Sequence, residues 1–507
     1  MSNQLVWFKR DLRVHDHEPL SRAVAAGPCL CLYVYENELI TAPDFDGAHL
    51  NFINESLSEL REALRSRGGD LVVRSGDAVS VLRELCEQHE IRHIWAHEET
   101  FNGLSFRRDR EVRAWARSSA TKLTELSSNG VVRRLSSRDG WSRLWQEAMR
   151  QHPTPPPRRI QPVPDVDPGS ILPTNAWKTD WETRRAVQHG GELQAHQELE
   201  SFLMRRGTYY RSEMSSPVTA YESCSRLSPY LAFGNISIRT VHQRTLERVA
   251  ELRRLKQEGE SESAAWLQSL SSFQGRLRWH CHFIQKLEDE PQIEFENINR
   301  AYDGLRESEF NTEHFDAWCH GRTGYPLVDA CMRALRETGW INFRMRAMLV
   351  SFASYHLWLH WRQPALHLAR LFLDYEPGIH YSQIQMQSGV TGINSVRIYS
   401  PIKQVQDQDP SGTFIRRWVP ELMDVPDKHL AEPHKMNGME QSLFGCQIGR
   451  DYPSPVVDHA TASKRARDRI FEVRKTAEAK AEAKRVYLKH GSRRRPRQRR
   501  SAMPEVG

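Results

Sequence analysis

Near its N-terminus the chain reads QLVWFKR (residues 4–10), an apolar run that ends in a densely charged turn, Lys9-Arg10-Asp11-Leu12-Arg13. Further apolar runs follow at 29–36, 70–75 and 92–97, and amphipathic stretches separate them at 50–66 and 78–89. Alternation of short strands with helices is typical of a parallel, doubly wound sheet. The charged turn would lie at the carboxyl end of the first strand, where such sheets bind ligands. Taken alone, it is more often a solvent-exposed set of ion pairs.

The rest of the chain divides by composition. Residues 152–175 are rich in proline, which favours an extended connector, and from about residue 190 the pattern is helical, as at 325–337 and 344–361. The α/β half contains neither G-x-G-x-x-G nor G-x-x-x-x-G-K-[ST], so an ordinary dinucleotide or nucleotide site is excluded there. We predict an α/β plus all-α protein: a Rossmann-like domain at 1–135, a linker at 136–195, a helical domain at 196–455, and a basic helix with a disordered Arg-rich tail at 456–507.

Composition narrows the class of protein. With 507 residues, 39% of them hydrophobic, the chain can bury a large core, which excludes global disorder. The mean hydropathy is −0.64, and no apolar run approaches the ~18 residues of a membrane span. The N-terminus lacks a secretory apolar segment, so we expect a cytoplasmic protein without membrane contact. The eight cysteines form no C-x-x-C pair, and we expect buried thiols and no metal site.

The charge is concentrated at the C-terminal end. Residues 461–507 carry 16 Lys and Arg against 5 Asp and Glu, and removing that excess of 11 from the overall +7 leaves −4 for the rest. A nucleic-acid site in the folded body must therefore be a local patch. The polybasic end either adds salt-sensitive affinity for DNA phosphates or serves only as a solubilising terminus.

Two later segments carry residues suited to a bound cofactor. In ESCSRLSPYLAFGNIS (222–237), Ser228-Pro229 predicts a helix start, and Ser225, Arg226 and the helix amides could hold an anion such as pyrophosphate. An ordinary helix cap is the alternative. Farther on, a helix carrying Arg346 precedes FLDYEPGIHYSQIQMQSGVTG (372–392), which contains Asp374. An Arg and Asp pair can flank a flat redox cofactor, because the guanidinium stabilises a reduced anionic ring.

Taken together in this order, these segments resemble the photolyase/cryptochrome family over residues 4 to about 435. The opening resembles the family's W-F-R-R-D-L-R-L, and residues 225–229 its S-R-L-S-P. Residues 323–340 resemble T-G-Y-P-x-V-D-A-x-M-R…T-G-W, and residues 414–426 resemble F-I-R-x-W-x-P-E-L. The resemblance implies an antenna domain joined to a helical domain that holds FAD in a U-shape.

The resemblance also assigns cofactor residues. It places Tyr210, Ser225, Arg226, Leu227 and Ser228 at the FAD phosphates. It places Arg346 and Asp374 beside the isoalloxazine, where Tyr375, Glu376 and His380 continue the motif. His380 falls where the family often has Asn near flavin N5, and it is either a proton donor that titrates near neutral pH or a structural histidine.

The substrate side departs from the family pattern. The E-x-x-W-R segment of cyclobutane-dimer photolyases appears as Arg276 to His280, so Trp279 keeps the stacking ring while Arg276 replaces the acid. Met386 stands at the second stacking Trp. The two histidines of (6-4) photolyases would match Phe343 and Ala347. We expect Arg276, Trp279, Phe343, Arg344 and Met386 to contact DNA, with Arg276, Trp279, His380 and Met386 as the catalytic set.

The electron route and the antenna are less regular. Ile384 stands at the flavin-proximal Trp of the family's electron chain, and Trp361 matches its middle member. Trp340, Trp358, Trp318 and Tyr381 either make another path or are only core. Lys9, Arg10 and Asp11 could border a second chromophore of unknown identity.

The leading interpretation is an FAD-dependent, light-driven DNA photolyase that acts as a monomer on ultraviolet-damaged DNA. The alternative is a cryptochrome-like photoreceptor with little or no repair activity, which would signal to a partner through the basic tail. A flavin-free protein that binds nucleic acid is a weaker third interpretation.

Overall fold

The computed structural model describes residues 2–177, 179, 181, 184 and 186–491. Five parallel strands form one sheet in the order β3-β2-β1-β4-β5, which confirms the doubly wound prediction. The strands are β1 (Gln4–Phe8), β2 (Cys29–Tyr35), β3 (Leu71–Ser75), β4 (His93–His97) and β5 (Lys122–Leu126).

The fifth strand is absent from the sequence prediction. Its residues, KLTEL, are partly exposed, because β5 lies at the edge of the sheet and pairs only with β4. An edge strand needs less apolar character than a central one, so its short half-polar run gave no strong signal.

Helices surround the sheet and build the second half. The first twelve are α1 (Glu18–Ala26), α2 (Asn37–Ile40), α3 (Gly47–Arg65), α4 (Ala78–Gln88), α5 (Gly103–Ser118), α6 (Trp141–Arg150), α7 (Glu192–Met204), α8 (Tyr210–Glu213), α9 (Ala220–Ser223), α10 (Ser228–Ala232), α11 (Ile238–Gln257) and α12 (Ser263–Asp289). The others are α13 (Thr312–Cys319), α14 (Pro326–Thr338), α15 (Phe343–Ser351), α16 (Arg362–Leu371), α17 (Pro377–Gln387), α18 (Pro401–Gln408), α19 (Thr413–Trp418), α20 (Asp427–Leu430), α21 (Gly438–Leu443), α22 (His459–Lys475) and α23 (Ala477–His490).

The two halves share part of their core. One face of the sheet packs on α4 and α5. The core on the other face continues without a break into α7, α11 and α12. A further core fills the rest of the helical half, from α14 to α23. The range 136–195, predicted as linker, includes α6, whose Trp141, Trp145 and Met149 are buried.

The charged turn after β1 is buried between the two halves. Lys9, Asp11 and Arg13 are each less than 9% exposed, so the solvent-exposed interpretation is wrong. The Arg13 guanidinium donates to the Gly234 carbonyl at 2.9 Å. Gly234 has φ +68°, and a Cβ there would lie 2.2 Å from the carbonyl oxygen of Arg10. Only glycine therefore allows the turn to approach the helical half so closely.

Arg10 reaches farther into the helical half than the rest of the turn. Its guanidinium lies 3.8 Å from the ring centroid of Phe101 and 4.7 Å from that of Phe233. It also donates to the carbonyl of Tyr375 at 3.2 Å. One side chain of the α/β domain thus holds the segment that the sequence assigned to the cofactor.

Two predicted helices are divided in the structure. The stretch at 344–361 is helical only to Ser351, after which a π-helical turn, Phe352–His356, widens the backbone. The basic helix is two helices, α22 and α23, which meet at Thr476, whose hydroxyl accepts from the amide of Ala479. Both pack on the body through buried residues such as Ile470 and Val486. The predicted disordered tail, residues 492–507, lies outside the described residues.

All eight cysteines are free thiols, seven of them buried and Cys224 partly so, as expected. Within the described part of the chain, no helix is long and apolar enough to cross a membrane.

Arg10→Met should lower the free energy of unfolding by about 2 kcal/mol, since it removes the guanidinium from two rings and a carbonyl. Urea unfolding followed by tryptophan fluorescence measures the change. The matched control is Arg22→Met on α1, because the Arg22 side chain is 52% exposed and pairs with the neighbouring Glu18 at the surface. For this control we expect the free energy of unfolding to fall by less than about 0.5 kcal/mol. An equally small decrease for Arg10→Met would contradict the role of Arg10 in joining the two halves.

Candidate cofactor and substrate cavity

A cavity of about 640 Å³ lies between α12 and α17 and collects most of the predicted site residues. Gly378 allows the two helices to meet, because a Cβ there would lie 2.5 Å from the Cα of Ile284. The predicted residues that line the cavity are Tyr210, Ser225, Arg226, Ser228, Arg276, Trp279, Phe343, Arg346, Asp374, Tyr375, Glu376, His380 and Met386.

Arg346 and Asp374 form a two-pronged ion pair in the cavity wall. Both terminal guanidinium nitrogens of Arg346 donate to the Asp374 carboxylate at 2.9 Å. Its Nε donates to the Ile341 carbonyl at 2.8 Å. Burial alone would raise the pKa of Asp374, but Arg346, the Ser228 hydroxyl and Arg226 together lower it. The pair therefore presents a fixed cation and a fixed anion to whatever binds beside it.

Ser228 serves this pair and does not cap a helix. Its hydroxyl is among the groups that lower the pKa of Asp374, and α10 begins at Ser228 itself without a side-chain cap. The predicted helix start is confirmed to within one residue, whereas the predicted hydroxyl cap is wrong.

Arg226 has an uncommon backbone conformation, φ +60°. Its guanidinium lies between the rings of Trp340 and Tyr221, at 4.0 and 4.2 Å from their centroids. A non-glycine residue in the left-handed region costs free energy and is enriched at functional sites. Here the strained backbone directs a cation into the cavity.

Several buried polar atoms of the cavity wall have no hydrogen-bond partner within the described residues. They are Arg226 Nη1, Asn342 Oδ1, Glu376 Oε1 and Gln383 Oε1. Buried polar groups are normally paired, so these atoms indicate a polar ligand. A flavin dinucleotide offers phosphates for the cation and ring N–H and hydroxyl groups for the oxygens. The residues present therefore fit FAD.

His380 is a buried, neutral histidine. Its Nε2 lies 2.9 Å from the Ala365 carbonyl, to which it donates, and burial lowers its pKa to about 4. The hydrogen bond and the lowered pKa favour the structural interpretation over a proton donor that titrates near neutral pH. Nδ1 is left as an acceptor.

Glu376, not His380, titrates near neutrality. It is 8% exposed, and burial raises its pKa to about 7, although Arg10 opposes the change. The sequence placed Glu376 in the motif but gave no signal of its proton affinity, because that depends on burial.

The open side of the cavity carries the residues predicted to meet substrate. Trp279 stacks on Phe283 with centroids 5.5 Å apart, and Phe343 is 48% exposed. Arg276 is exposed and lies near Tyr210; burial raises the pKa of the Tyr210 hydroxyl to about 12, although Arg276 opposes that change. Arg276 therefore lies between the cofactor residues and the substrate residues.

Three predicted site residues do not line the cavity. Leu227 is 1% exposed and its side chain packs in the core, since it directs its side chain away from Arg226 and Ser228. Arg344 points off the lining face of α15, on which Phe343, Arg346 and Ala347 lie. Trp361 is fully buried behind the wall.

The aromatic residues proposed for electron transfer differ in charge environment. Trp340 has the Arg226 guanidinium over its ring, and Trp358 lies between Arg306 at 4.5 Å and Arg469 at 4.3 Å. A cation over a ring opposes removal of an electron from it. Trp361 packs on Tyr381 at 6.2 Å and donates to Asn297 at 2.7 Å. The charge environment therefore favours Trp361 over Trp340 and Trp358 as the predicted electron donor.

The strand ends of the sheet enclose a much smaller cavity, about 60 Å³, lined by Lys9, Arg10, Phe101 and Tyr375 among others. This is about twice the volume that one water occupies in the liquid. A chromophore is larger than this volume, so binding one here would require lining side chains to move.

Sequence reasoning missed Lys286, Gln383, Tyr487 and His490, which also line the cavity. The spacing of Arg276, Trp279, Phe283 and Lys286 along α12 could have revealed the lysine, because those positions share a helix face. Tyr487 and His490 belong to no motif and reach the cavity only because α23 folds back.

Comparison with known proteins agrees with this arrangement. Residues 4–139 match the family model described as DNA photolyase, and residues 273–472 match the FAD binding domain of DNA photolyase. A cryptochrome DASH from Gloeobacter violaceus is 30% identical over 478 residues, covering 90% of this chain and 93% of that protein. A deoxyribodipyrimidine photo-lyase from Agrobacterium fabrum is 30% identical over 499 residues, covering 93% and 98%.

A solved structure is similar over the same length. The class III photolyase of Agrobacterium tumefaciens has a TM-score of 0.80 and 27% identity, covering 94% of this chain and 98% of its own. The chain belongs to the photolyase/cryptochrome family, and its helical half is an FAD-binding domain.

Glu376→Gln should remove a pH dependence from the stability of the cofactor-free chain. A carboxyl group whose pKa is raised keeps its proton in the folded state while the unfolded chain has lost it, so stability falls as pH rises from about 4.5 to above 7. The raised pKa corresponds to about 3 kcal/mol. Urea unfolding at pH 5 and pH 8 should show this extra loss of unfolding free energy in the natural chain and not in Glu376→Gln. An equal loss in both proteins would contradict the raised pKa of Glu376.

Trp361→Phe should slow the photoreduction of bound FAD by at least about tenfold, equivalent to about 1.4 kcal/mol of barrier. Flavin absorbance under steady blue light with a thiol donor measures the rate. Trp358→Phe is the control and should leave the rate unchanged, because its two guanidinium neighbours already disfavour oxidation. Equal slowing in both variants would refute the assignment.

Proposed function

We propose that this chain is a light-driven DNA photolyase, a carbon–carbon lyase that splits pyrimidine dimers in ultraviolet-damaged DNA. The observation that carries the proposal is that one cavity holds both the cofactor residues, Arg346 and Asp374, and the stacking residue Trp279. A base flipped out of a strand could therefore meet the cofactor directly. Relatives named deoxyribodipyrimidine photo-lyase support the same activity.

The residues of the cavity would have different binding roles according to their position. Ser225 and Arg226 would hold the cofactor phosphates, and Arg346 with Asp374 would fix the ring. Trp279 would stack on the flipped bases, with Met386 on the opposing helix. Arg276 can donate to pyrimidine carbonyl groups but cannot accept from ring N–H groups. When bound and reduced, FAD would supply the light-driven, reversible one-electron transfer that splits the dimer.

Glu376 and His380 would control protons at the cofactor. His380 presents only an acceptor at neutral pH, since its Nε2–H is held by Ala365. Glu376 carries a proton for part of the population, because its pKa lies at about 7. Glu376 is therefore the group that can take up or release a proton when the charge on the ring changes.

A cryptochrome-like photoreceptor is the second candidate. It is favoured by α23, which folds back so that Tyr487 and His490 line the cavity and couple it to the C-terminal end. It is also favoured by relatives named cryptochrome DASH.

Trp279→Ala should weaken binding of an oligonucleotide with a thymine dimer by about 5–150-fold, the equivalent of 1–3 kcal/mol of stacking. Trp279→Phe should recover most of the loss. Dark binding and light-driven repair of cyclobutane and (6-4) lesions, on single and double strands, measure the effect. Trp115→Ala on α5, outside the cavity, is the control.

Repair of either lesion by the natural chain, lost in Trp279→Ala, would establish the enzyme. Normal photoreduction without repair of either lesion would overturn the photolyase proposal and support the photoreceptor.

A further inference from the structure

The cavity has a second polar end that the cofactor residues do not use. Arg276, Trp279, Phe283 and Lys286 line the cavity in a row along α12. Ten residues of helix separate Arg276 from Lys286, a rise of about 15 Å. Arg276 lies near Tyr210, one of the predicted phosphate residues, and opposes the rise that burial causes in the pKa of its hydroxyl. Lys286 therefore marks the opposite end of the row.

Lys286 is a buried ammonium that has no anionic partner among the described residues. It is 9% exposed, and its one described partner is the ring of Phe283, 4.9 Å from Nζ. Burying a charge costs free energy unless a counter-charge or hydrogen bonds compensate. An ammonium group held in this way beside a cavity is matched to an anionic ligand.

The nearby acids are committed to other cations. Asp289 pairs with Arg138 at 3.5 Å and accepts from Gln285. Glu290 pairs with Lys489 at 3.2 Å and Arg485 at 3.4 Å, and it also accepts from the neutral His490 ring at 2.5 Å. Neither carboxylate therefore neutralises Lys286.

The C-terminal helix closes this end of the cavity. His490, 1% exposed, is fixed by Glu290, and this contact brings Tyr487 and Gly491 to the cavity wall. Tyr487 is 50% exposed. The corner thus combines one unpaired cation with aromatic rings from two helices, Trp279 and Tyr487. That combination is typical of surfaces that bind single-stranded nucleic acid, where rings stack bases and cations meet phosphates.

We propose that this corner binds one phosphodiester of the DNA strand that enters the cavity, and that Lys286 is the residue that contacts it. The inference rests on the proposed function and adds a substrate subsite to it. A phosphodiester suits the corner because it is a compact single anion, and an ammonium binds it as a point charge.

The test replaces single phosphodiesters by neutral methylphosphonates in an oligonucleotide that carries one thymine dimer. The dimer linkage and two linkages on each side are replaced in turn, and dark binding is measured by fluorescence anisotropy. At one linkage, replacement should weaken binding to the natural chain by about 5–10-fold, as expected for one lost charged contact. Lys286→Met should bind both forms equally weakly, and Lys286→Arg should keep the preference.

Salt and pH give independent readouts. Lys286→Met should reduce the slope of log K against log salt by about 0.7, the value for one phosphate contact on a single strand. Burial lowers the pKa of Lys286 to about 8, so the natural chain's preference should fade between pH 7 and about 9.5. Lys286→Arg should keep the linkage preference over this pH range, because a guanidinium stays charged.

The surrounding groups should not produce this pH effect. Burial lowers the pKa of His282 to about 2 and that of His490 below its usual value, so both are neutral throughout. Arg138 and Arg485 stay charged, while Asp289 and Glu290 remain in their ion pairs. Lys489, which pairs with Glu290, is checked by Lys489→Met, which should keep the linkage preference.

Lys256→Met, an exposed lysine on α11, is the matched control and should change neither the linkage preference nor the pH profile. The proposal is overturned if no linkage discriminates the natural chain from Lys286→Met. It is also overturned if Lys286→Met purifies with less FAD, because the corner would then belong to the cofactor. Linkage preference without any light-driven repair would keep the subsite and reject the photolyase.

Discussion

The Arg10 guanidinium joins the two halves of the molecule at the point where the cavity forms. It lies between Phe101 of the α/β half and Phe233 of the helical half, and it donates to the carbonyl of Tyr375. The neighbours of Tyr375 in the chain are Asp374 and Glu376, both in the cavity wall. The position of the cofactor segment therefore depends on the docking of the sheet, and Gly234 makes that docking close enough.

Burial and pairing determine the proton affinity and charge of the groups in the cavity wall. Two carboxylates two residues apart differ in proton affinity because Asp374 has Arg346 as a partner at 2.9 Å, whereas one oxygen of Glu376 has no partner within the described residues. The same principle separates Arg346, which is paired, from Lys286, which is not. The paired groups, such as Arg346 and Asp374, fix the geometry of the cavity wall. The groups that lack a counter-charge or hydrogen-bond partner among the described residues, such as Lys286 and Oε1 of Glu376, are the ones available to a ligand.

The sequence predicted the architecture and many of the cavity residues. It did not predict which neighbouring side chains face the cavity or that a C-terminal helix contributes to its wall. Strand and helix periodicity identified β1 to β4, and the motifs identified Arg346, Asp374 and Trp279. Leu227 was misplaced because a motif names neighbours without saying which side chains face inward. The sequence left two interpretations of His380 open because its proton affinity depends on burial and on the Ala365 carbonyl. It predicted the basic helix but not the approach of α23 to the cavity, because that approach depends on a tertiary contact at Glu290.

Trp358 has a consequence for how the C-terminal helices are held. It follows the π-helical turn with φ +55° and lies between the guanidinium groups of Arg306 and Arg469, the latter on α22. A cation over an indole ring contributes about 0.5–2 kcal/mol. The ring therefore attaches α22 to the body of the helical half through Arg469, in addition to the apolar packing of that helix.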